Sequence, residues 1–148
     1  MIDRTVGQLV LNQQPLSVQR DRSVRAVVLA MKEQRVGAVA VVEAGYVIGV
    51  FTERDVMLRV VAEGRDPERT RVEEVMTANP QTMPPEGDIS EALERMLVGH
   101  FRHIPVVADG RLVGMVSLRD IPIEHRWMRE KWETARRTLP AGRAGSAG

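Results

Sequence analysis

The chain contains no cysteine. That excludes a disulfide framework, a thiolate metal site and a cysteine nucleophile. Aromatic residues make up only 3%, so a core must be built from Val, Leu, Ile, Ala and Met. Charge of one sign is also lacking: 21 basic residues face 20 acidic ones, for a net +1. With no dense basic block, nucleic acid is not an expected partner. No apolar run approaches the ~20 residues that span a bilayer. Asp3 and Arg4 stand near the N-terminus with no apolar run behind them, so neither a signal peptide nor a membrane partner is expected. The expectation is a soluble, cytoplasmic protein. His100, His103 and His125 are the only histidines, and no thiolate or close carboxylate completes a metal set around them. No Ser-His-Asp order, nucleophile elbow or phosphate-cradling Walker loop is present, so the chain reads as a non-enzyme with no required cofactor.

What is there is a patterned chain of 148 residues, 43% hydrophobic, long enough to bury a core. Val6 to Leu11 predicts a short helix and Leu16-Ser17-Val18 a short strand. Asp21 or Ser23 is positioned to cap a helix with a stripe of Val24, Val27, Val28 and Met31. Ala38 to Val42 is apolar on both faces, as in a strand covered on both sides. Glu43-Ala44-Gly45 is a hairpin-length turn into the strand Tyr46 to Phe51. Val56, Met57, Val60 and Val61 then form one side of a helix that Gly64 stops. The stretch 65–71 is charged, contains Pro67 and reads as a linker. Thr70 with Glu73 suggests a capping box for a short helix, Arg71 to Met76. Gln81-Thr82-Met83 is another strand candidate. Asp88 with Glu91 suggests a cap for a helix carrying Ile89, Ala92, Leu93, Met96 and Leu97. A second hairpin follows from Ile104 to Val116.

The second half repeats the first. From Val24/Ile89 to Asp55/Asp120 the halves align without a gap, and seven of 32 positions are identical. The shared turns carry the signal. Gly49-x-x-Thr52-x-Arg54-Asp55 returns 65 residues on (114 − 49) as Gly114-x-x-Ser117-x-Arg119-Asp120. Each half reads β-α-β-β-α and is too small to hide its own helices. The two should pack their sheets side by side as one pseudo-symmetric body.

Two readings of the twin turn stand side by side. In the first, Thr52-x-x-Asp55 and Ser117-x-x-Asp120 are helix caps: the hydroxyl satisfies a free N–H and the acid favours the positive helix end. Gly49 and Gly114 then only relieve crowding. In the second, the turn is a nucleotide cradle. Free N–H groups at a helix start attract phosphate, a hydroxyl can donate to it, and Arg54 and Arg119 can fork onto it. Asp55 or Asp120 can accept from the hydroxyls of a ribose. Small residues before the turn let a flat base approach. A cap alone needs no arginine.

With Met76-Thr77, Pro80 and Thr82 leading into the second half, and His103-Ile104-Pro105-Val106-Val107 before its hairpin, the chain resembles a tandem pair of cystathionine-β-synthase (CBS) domains over about residues 5–121. This resemblance implies a regulatory module, here standing alone, that binds adenosine-containing ligands in clefts between repeats: AMP, ADP or ATP, sometimes NAD or S-adenosylmethionine. It points to Asp55 and Asp120 for ribose, and to Thr52, Ser117, Arg54 and Arg119 for phosphate or ribose. It maps the base pocket to Ser17, Val18, Gly37 and Ala38 in the first half, and to Thr82, Met83, His103, Ile104 and Pro105 in the second. It also implies homodimers of such pairs and an effector protein that reads the bound state. Because Gly37-Ala38-Val39-Ala40 stands against Arg102-His103-Ile104-Pro105, the two clefts should differ in affinity.

The expected fold class is therefore α+β, an α/β sandwich-like pair of β-α-β-β-α repeats with pseudo-two-fold symmetry. Residues 1–64 form the first repeat, 65–71 a linker and 72–122 the second repeat. Pro122 should break the second repeat's last helix early. Residues 123–139 suit a C-terminal helix with a Met128, Trp132, Ala135 and Leu139 stripe, and 140–148 a disordered tail. The functional alternatives are a structural dimerisation module without a physiological ligand and a regulator specific for S-adenosylmethionine.

Overall fold

The computed structural model of the chain describes residues 5–122. The expected C-terminal helix over 123–139 and the tail over 140–148 lie outside the described residues. The helices are α1 (Val6–Leu9), α2 (Val24–Gln34), α3 (Glu53–Asp55), α4 (Val72–Val75) and α5 (Ile89–Gly99). The strands are β1 (Ser17–Gln19), β2 (Ala38–Glu43), β3 (Tyr46–Thr52), β4 (Thr77–Ala78), β5 (His103–Ala108) and β6 (Arg111–Ser117). They form one mixed sheet in the order β1-β2-β3-β6-β5, with β4 also on β3.

The duplication in the sequence is a duplication in geometry. Helix α5, strands β5 and β6, and the bulge at Val106/Val107 repeat α2, β2, β3 and the bulge at Val41/Val42 at the same 65-residue offset. Both hairpin turns hold two successive residues at positive φ, Ala44 and Gly45 at 52° and 84°, Asp109 and Gly110 at 53° and 79°. Such turns match the twist of the strands they join. The helices end on Arg35 and His100 at φ 57° and 58°, so the left-handed cap falls on residues bearing side chains rather than on Gly37 or Gly99. The halves meet on their pseudo-dyad: Tyr46 of β3 pairs with Arg111 of β6, its own counterpart. The Arg111 guanidinium sits 4.7 Å from the centre of the Tyr46 ring, a cation–π contact.

The second repeat is the less regular one. Its first strand shrinks to a single bridge, Met83 to Val106. Its last helix shrinks to a 3₁₀ turn, Leu118–Asp120, ahead of Ile121-Pro122. The missing proline N–H and the restriction on the residue before it account for the stop. In the first repeat the same turn runs on into a π-helical stretch, Val56–Val61.

Two cores lie under the sheet, and each takes a short helix from the other half of the repeat. The first contains Val24, Val27, Met31, Val39, Val41, Phe51 and Val60, closed by Val72 and Val75 of α4. The second contains Met83, Ile89, Ala92, Met96, Ile104, Val106 and Val116, closed by Val6 and Val10 from the N-terminal segment. Backbone bonds fix the exchange: Val6 N–H donates to Gly87 O and Gly7 N–H to Pro85 O, while Val72 N–H donates to Arg22 O and Val24 N–H to Thr70 O. Gly49 and Gly114 permit it. A Cβ on Gly49 would meet Met76 Sδ, and one on Gly114 would meet Val10 Cβ. The small residues before the turns therefore face the exchanged segments. One more edge is closed by a side chain. The Gln13 amide accepts from Met115 N–H at 2.9 Å and donates to Met115 O at 3.0 Å, as a neighbouring strand would.

Two caps differ from the sequence reading. Helix α4 starts at Arg71, whose N–H donates to Glu74 at 2.7 Å, and Thr70 is buried. Asp88 caps α5 through Ser90 N–H at 2.7 Å, which leaves Glu91 to pair with Arg95 at 2.6 Å.

Candidate functional site

Each twin turn stands at the end of a strand because its hydroxyl residue closes the β ladder and its aspartate begins a helical turn. In the first, Asp55 Oδ2 accepts from the Thr52 N–H at 3.0 Å and from the Thr52 hydroxyl at 3.2 Å. The Asp55 N–H returns a bond to Thr52 Oγ1 at 3.2 Å. In the second, Asp120 Oδ2 accepts from the Ser117 N–H at 2.8 Å. The expected capping geometry is present in both. The next residue ties each turn to the loop before its hairpin, Glu53 N–H to Gly37 O and Leu118 N–H to Arg102 O, both at 2.9 Å.

The two turns then differ. Asp55 is buried at 8% exposure, and Arg59 Nε lies 3.6 Å from its Oδ1. Asp120 is exposed. Burial pushes the Asp55 carboxyl above the ordinary carboxylate value, against the pull of the Thr52 N–H and hydroxyl and of Arg59 and Arg54. Arg54 reaches across to the other repeat, donating to His100 O at 3.3 Å. That carbonyl is an unpaired helix-end acceptor.

His103 stands where the halves differ, opposite Ser117 in the β5–β6 ladder. Burial holds its imidazole below the ordinary value near 6.5, against Glu53 and Asp120, which favour the charged form, and together with Arg119 and Arg102, which oppose it. Glu53 belongs to the first repeat, so its field at His103 crosses the junction. A group kept neutral in the fold contributes stability above its unfolded pKa and loses it as pH falls. Unfolding free energy should therefore drop as pH is lowered below about 6.5, and His103→Gln should flatten that limb in urea melts taken from about pH 7.5 to 5. An unchanged limb in the variant would assign the acid sensitivity elsewhere.

The remaining base-pocket candidates separate by burial. Ser17 is exposed, while Val18, Gly37 and Thr82 are half-buried. Val18 packs against the first core. A Cβ on Gly37 would meet the Glu53 carboxylate at 2.8 Å, so this glycine gives Glu53 its place. Ala38 and Pro105 are buried. Met83 and Ile104 are core side chains of the second repeat. Toward a cleft they offer backbone rather than side chain, and the Met83 N–H and carbonyl are already bonded to Pro105 O and Val107 N–H. Sequence reasoning passed over Arg59, Gln13 and the His100 carbonyl. The Asp55/Arg59 spacing of four was a visible signal for the first. Glu73, expected to complete a cap with Thr70, instead holds Arg20 at 2.9 Å. Among the described residues no group of three His, Cys, Asp or Glu could hold a metal ion. No described helix is long and apolar enough to cross a membrane.

Known proteins share this arrangement. The CBS domain family model matches residues 6–62 and 72–121. The CBS domain-containing protein YhcV of Bacillus subtilis is 34% identical over 110 residues, covering 74% of this chain and 78% of its own. The CBS domain-containing protein CBSCBSPB2 of Arabidopsis thaliana is 35% identical over 117 residues, 78% of this chain but only 22% of that protein's length. A CBS domain protein from Pyrobaculum aerophilum, solved in complex with AMP, superposes with a TM-score of 0.74 at 28% identity, covering 88% of this chain and 98% of its own. The duplicated hairpins, the twin capped turns and these matches agree, and the chain belongs to the CBS domain family as a tandem pair of repeats.

Proposed function

We propose that this CBS pair is an adenine-nucleotide sensor rather than an enzyme. It binds AMP, ADP or ATP, with NAD as a further candidate, in the clefts between its repeats, and an effector protein reads the bound state. The observation that carries the reading is the second turn. Asp120 is exposed, held only at one oxygen by the Ser117 N–H among the described residues, and flanked by Arg119. It retains acceptor capacity for a sugar hydroxyl, and a cation stands beside it for phosphate. The AMP-bound relative supports the ligand class. Pairing into homodimers in the cytoplasm belongs to the same proposal.

Thermal unfolding with each nucleotide tests it. A ligand at 100 times its Kd adds about 2.7 kcal/mol when it binds only the folded state. For a body of this size that is roughly 5–10 °C in midpoint. Asp120→Ala should abolish the shift from the second cleft while leaving the ligand-free midpoint nearly unchanged. No shift with AMP, ADP, ATP, NAD or S-adenosylmethionine, for protein free of co-purified nucleotide, would reduce the turns to caps and favour a structural dimerisation module.

A further inference from the structure

The first repeat contains a connection with no counterpart among the described residues of the second. Arg59 Nε lies 3.6 Å from Asp55 Oδ1. The same guanidinium donates through Nη1 to Met76 O at 2.8 Å and to Val75 O at 3.3 Å. Those carbonyls end α4, where helical acceptors are otherwise orphaned. Directly after them comes β4, which pairs with β3 at Gly49 and Val50. One side chain therefore joins the carboxylate of the first turn to the segment that leads into the second repeat. Arg59 lies in the π-helical stretch, where the Ala62 N–H reaches Met57 O and the Arg65 N–H reaches Val60 O. Such wide turns are rare and recur at functional sites. At the matching position the second repeat has Glu124, so no counterpart cation exists there.

We propose that Arg59 couples occupancy of the first cleft to the α4–β4 connection between the repeats. This rests on the reading that nucleotides bind these clefts. Asp55 Oδ2 already accepts twice from Thr52, which leaves Oδ1 for Arg59 or for a ligand hydroxyl. A ribose diol donating to Oδ1 competes with the guanidinium. Arg59 is shared between the carboxylate and the α4 carbonyls, so a change at one end alters the other. The ligand then distinguishes two arrangements of the connection, as a population shift requires.

Hydrogen exchange of the full chain, with and without saturating AMP and ATP in turn, tests this alongside calorimetric affinities. In the wild type, exchange across residues 75–79 should change about threefold or more on ligand binding. Arg59→Met should bind nucleotide within about threefold of wild type yet show no ligand response at 75–79. Arg59→Lys keeps a cation beside Asp55 but not the fork, so it should keep the affinity and lose the response. This variant carries the comparison if Arg59→Met does not fold. Without nucleotide, Asp55→Asn should speed exchange at 75–79, and Asp120→Asn should not. An undiminished response in either Arg59 variant overturns the coupling, as does an Asp55→Asn protein with unaltered exchange there. Nucleotide binding without any response at 75–79 overturns the coupling alone. No binding by the wild type overturns it together with the sensor reading.

Discussion

Deleting residues 1–11 is expected to open the second repeat, far away in sequence, and to leave the first largely protected. The reason is the exchange of segments. Val6 and Val10 are 0% and 1% exposed and sit among Met83, Ile89, Ile104 and Val116. Burying a valine fully is worth about 1.5–3 kcal/mol. The two residues alone therefore contribute about 3–6 kcal/mol, set against a total stability of about 5–15 kcal/mol for a domain. The deletion also strips partners from Gly87 O and Pro85 O. Hydrogen exchange resolves the location. Amides of α5, β5 and β6 should lose protection, and those of α2, β2 and β3 should keep most of theirs. A Val6→Ala/Val10→Ala double variant should show the same pattern at smaller amplitude. Loss centred on α2 and β2 would mean that the N-terminal segment serves its own repeat and would refute the exchange.

Gly114→Val should destabilise the protein by about 3 kcal/mol, the upper end of what overpacking does. Taken as a strand residue alone, glycine is a poor choice, and a β-branched replacement would be expected to help. The contact reverses the sign. A Cβ at 114 falls 2.4 Å from Val10 Cβ and 2.5 Å from its Cγ2. Val10 is buried, β-branched and stiff at χ1, so α1 itself must shift. Gly49 offers the internal control. Its added Cβ would meet Met76 Sδ at 2.4 Å, and methionine is unbranched and able to swing away. Gly49→Ala should therefore cost about 1 kcal/mol, and less than Gly114→Ala. Urea denaturation of the three variants decides the matter. Equal losses at the two sites would show that strand geometry, not the exchanged segment, requires the glycines.

The repeat was legible because the physics that sets it is local. The apolar runs at Ala38 to Val42 and Ile104 to Val107, the turn glycines Gly45 and Gly110, and the twin Thr/Ser-x-x-Asp turns each follow from short-range sterics and capping. All of them appear at the positions read. Capping by Thr70 was misread by one residue because Glu73 and Glu74 are adjacent carboxylates. Only the fold sends Glu73 to Arg20 and Glu74 to the Arg71 N–H. The early end of the second repeat was also legible, since Pro122 acts on its own neighbours.

The sequence by itself determined that two similar units would fold from one chain, and that each would present a hydroxyl and a carboxylate at the end of its returning strand. Tertiary structure alone decided which core each short helix fills. Both cores are lined mainly by valine and methionine with one or two larger side chains, so apolar pattern cannot tell α1 from α4 as a lid. Chain connectivity and the close approach at Gly49 and Gly114 make that choice. Tertiary structure also made the twin aspartates unequal. Asp55 is buried and bonded because the chain beyond it stays helical long enough to bring Arg59 back onto it. Asp120 is exposed, and among the described residues its turn ends at Ile121-Pro122 with no cation brought back onto it.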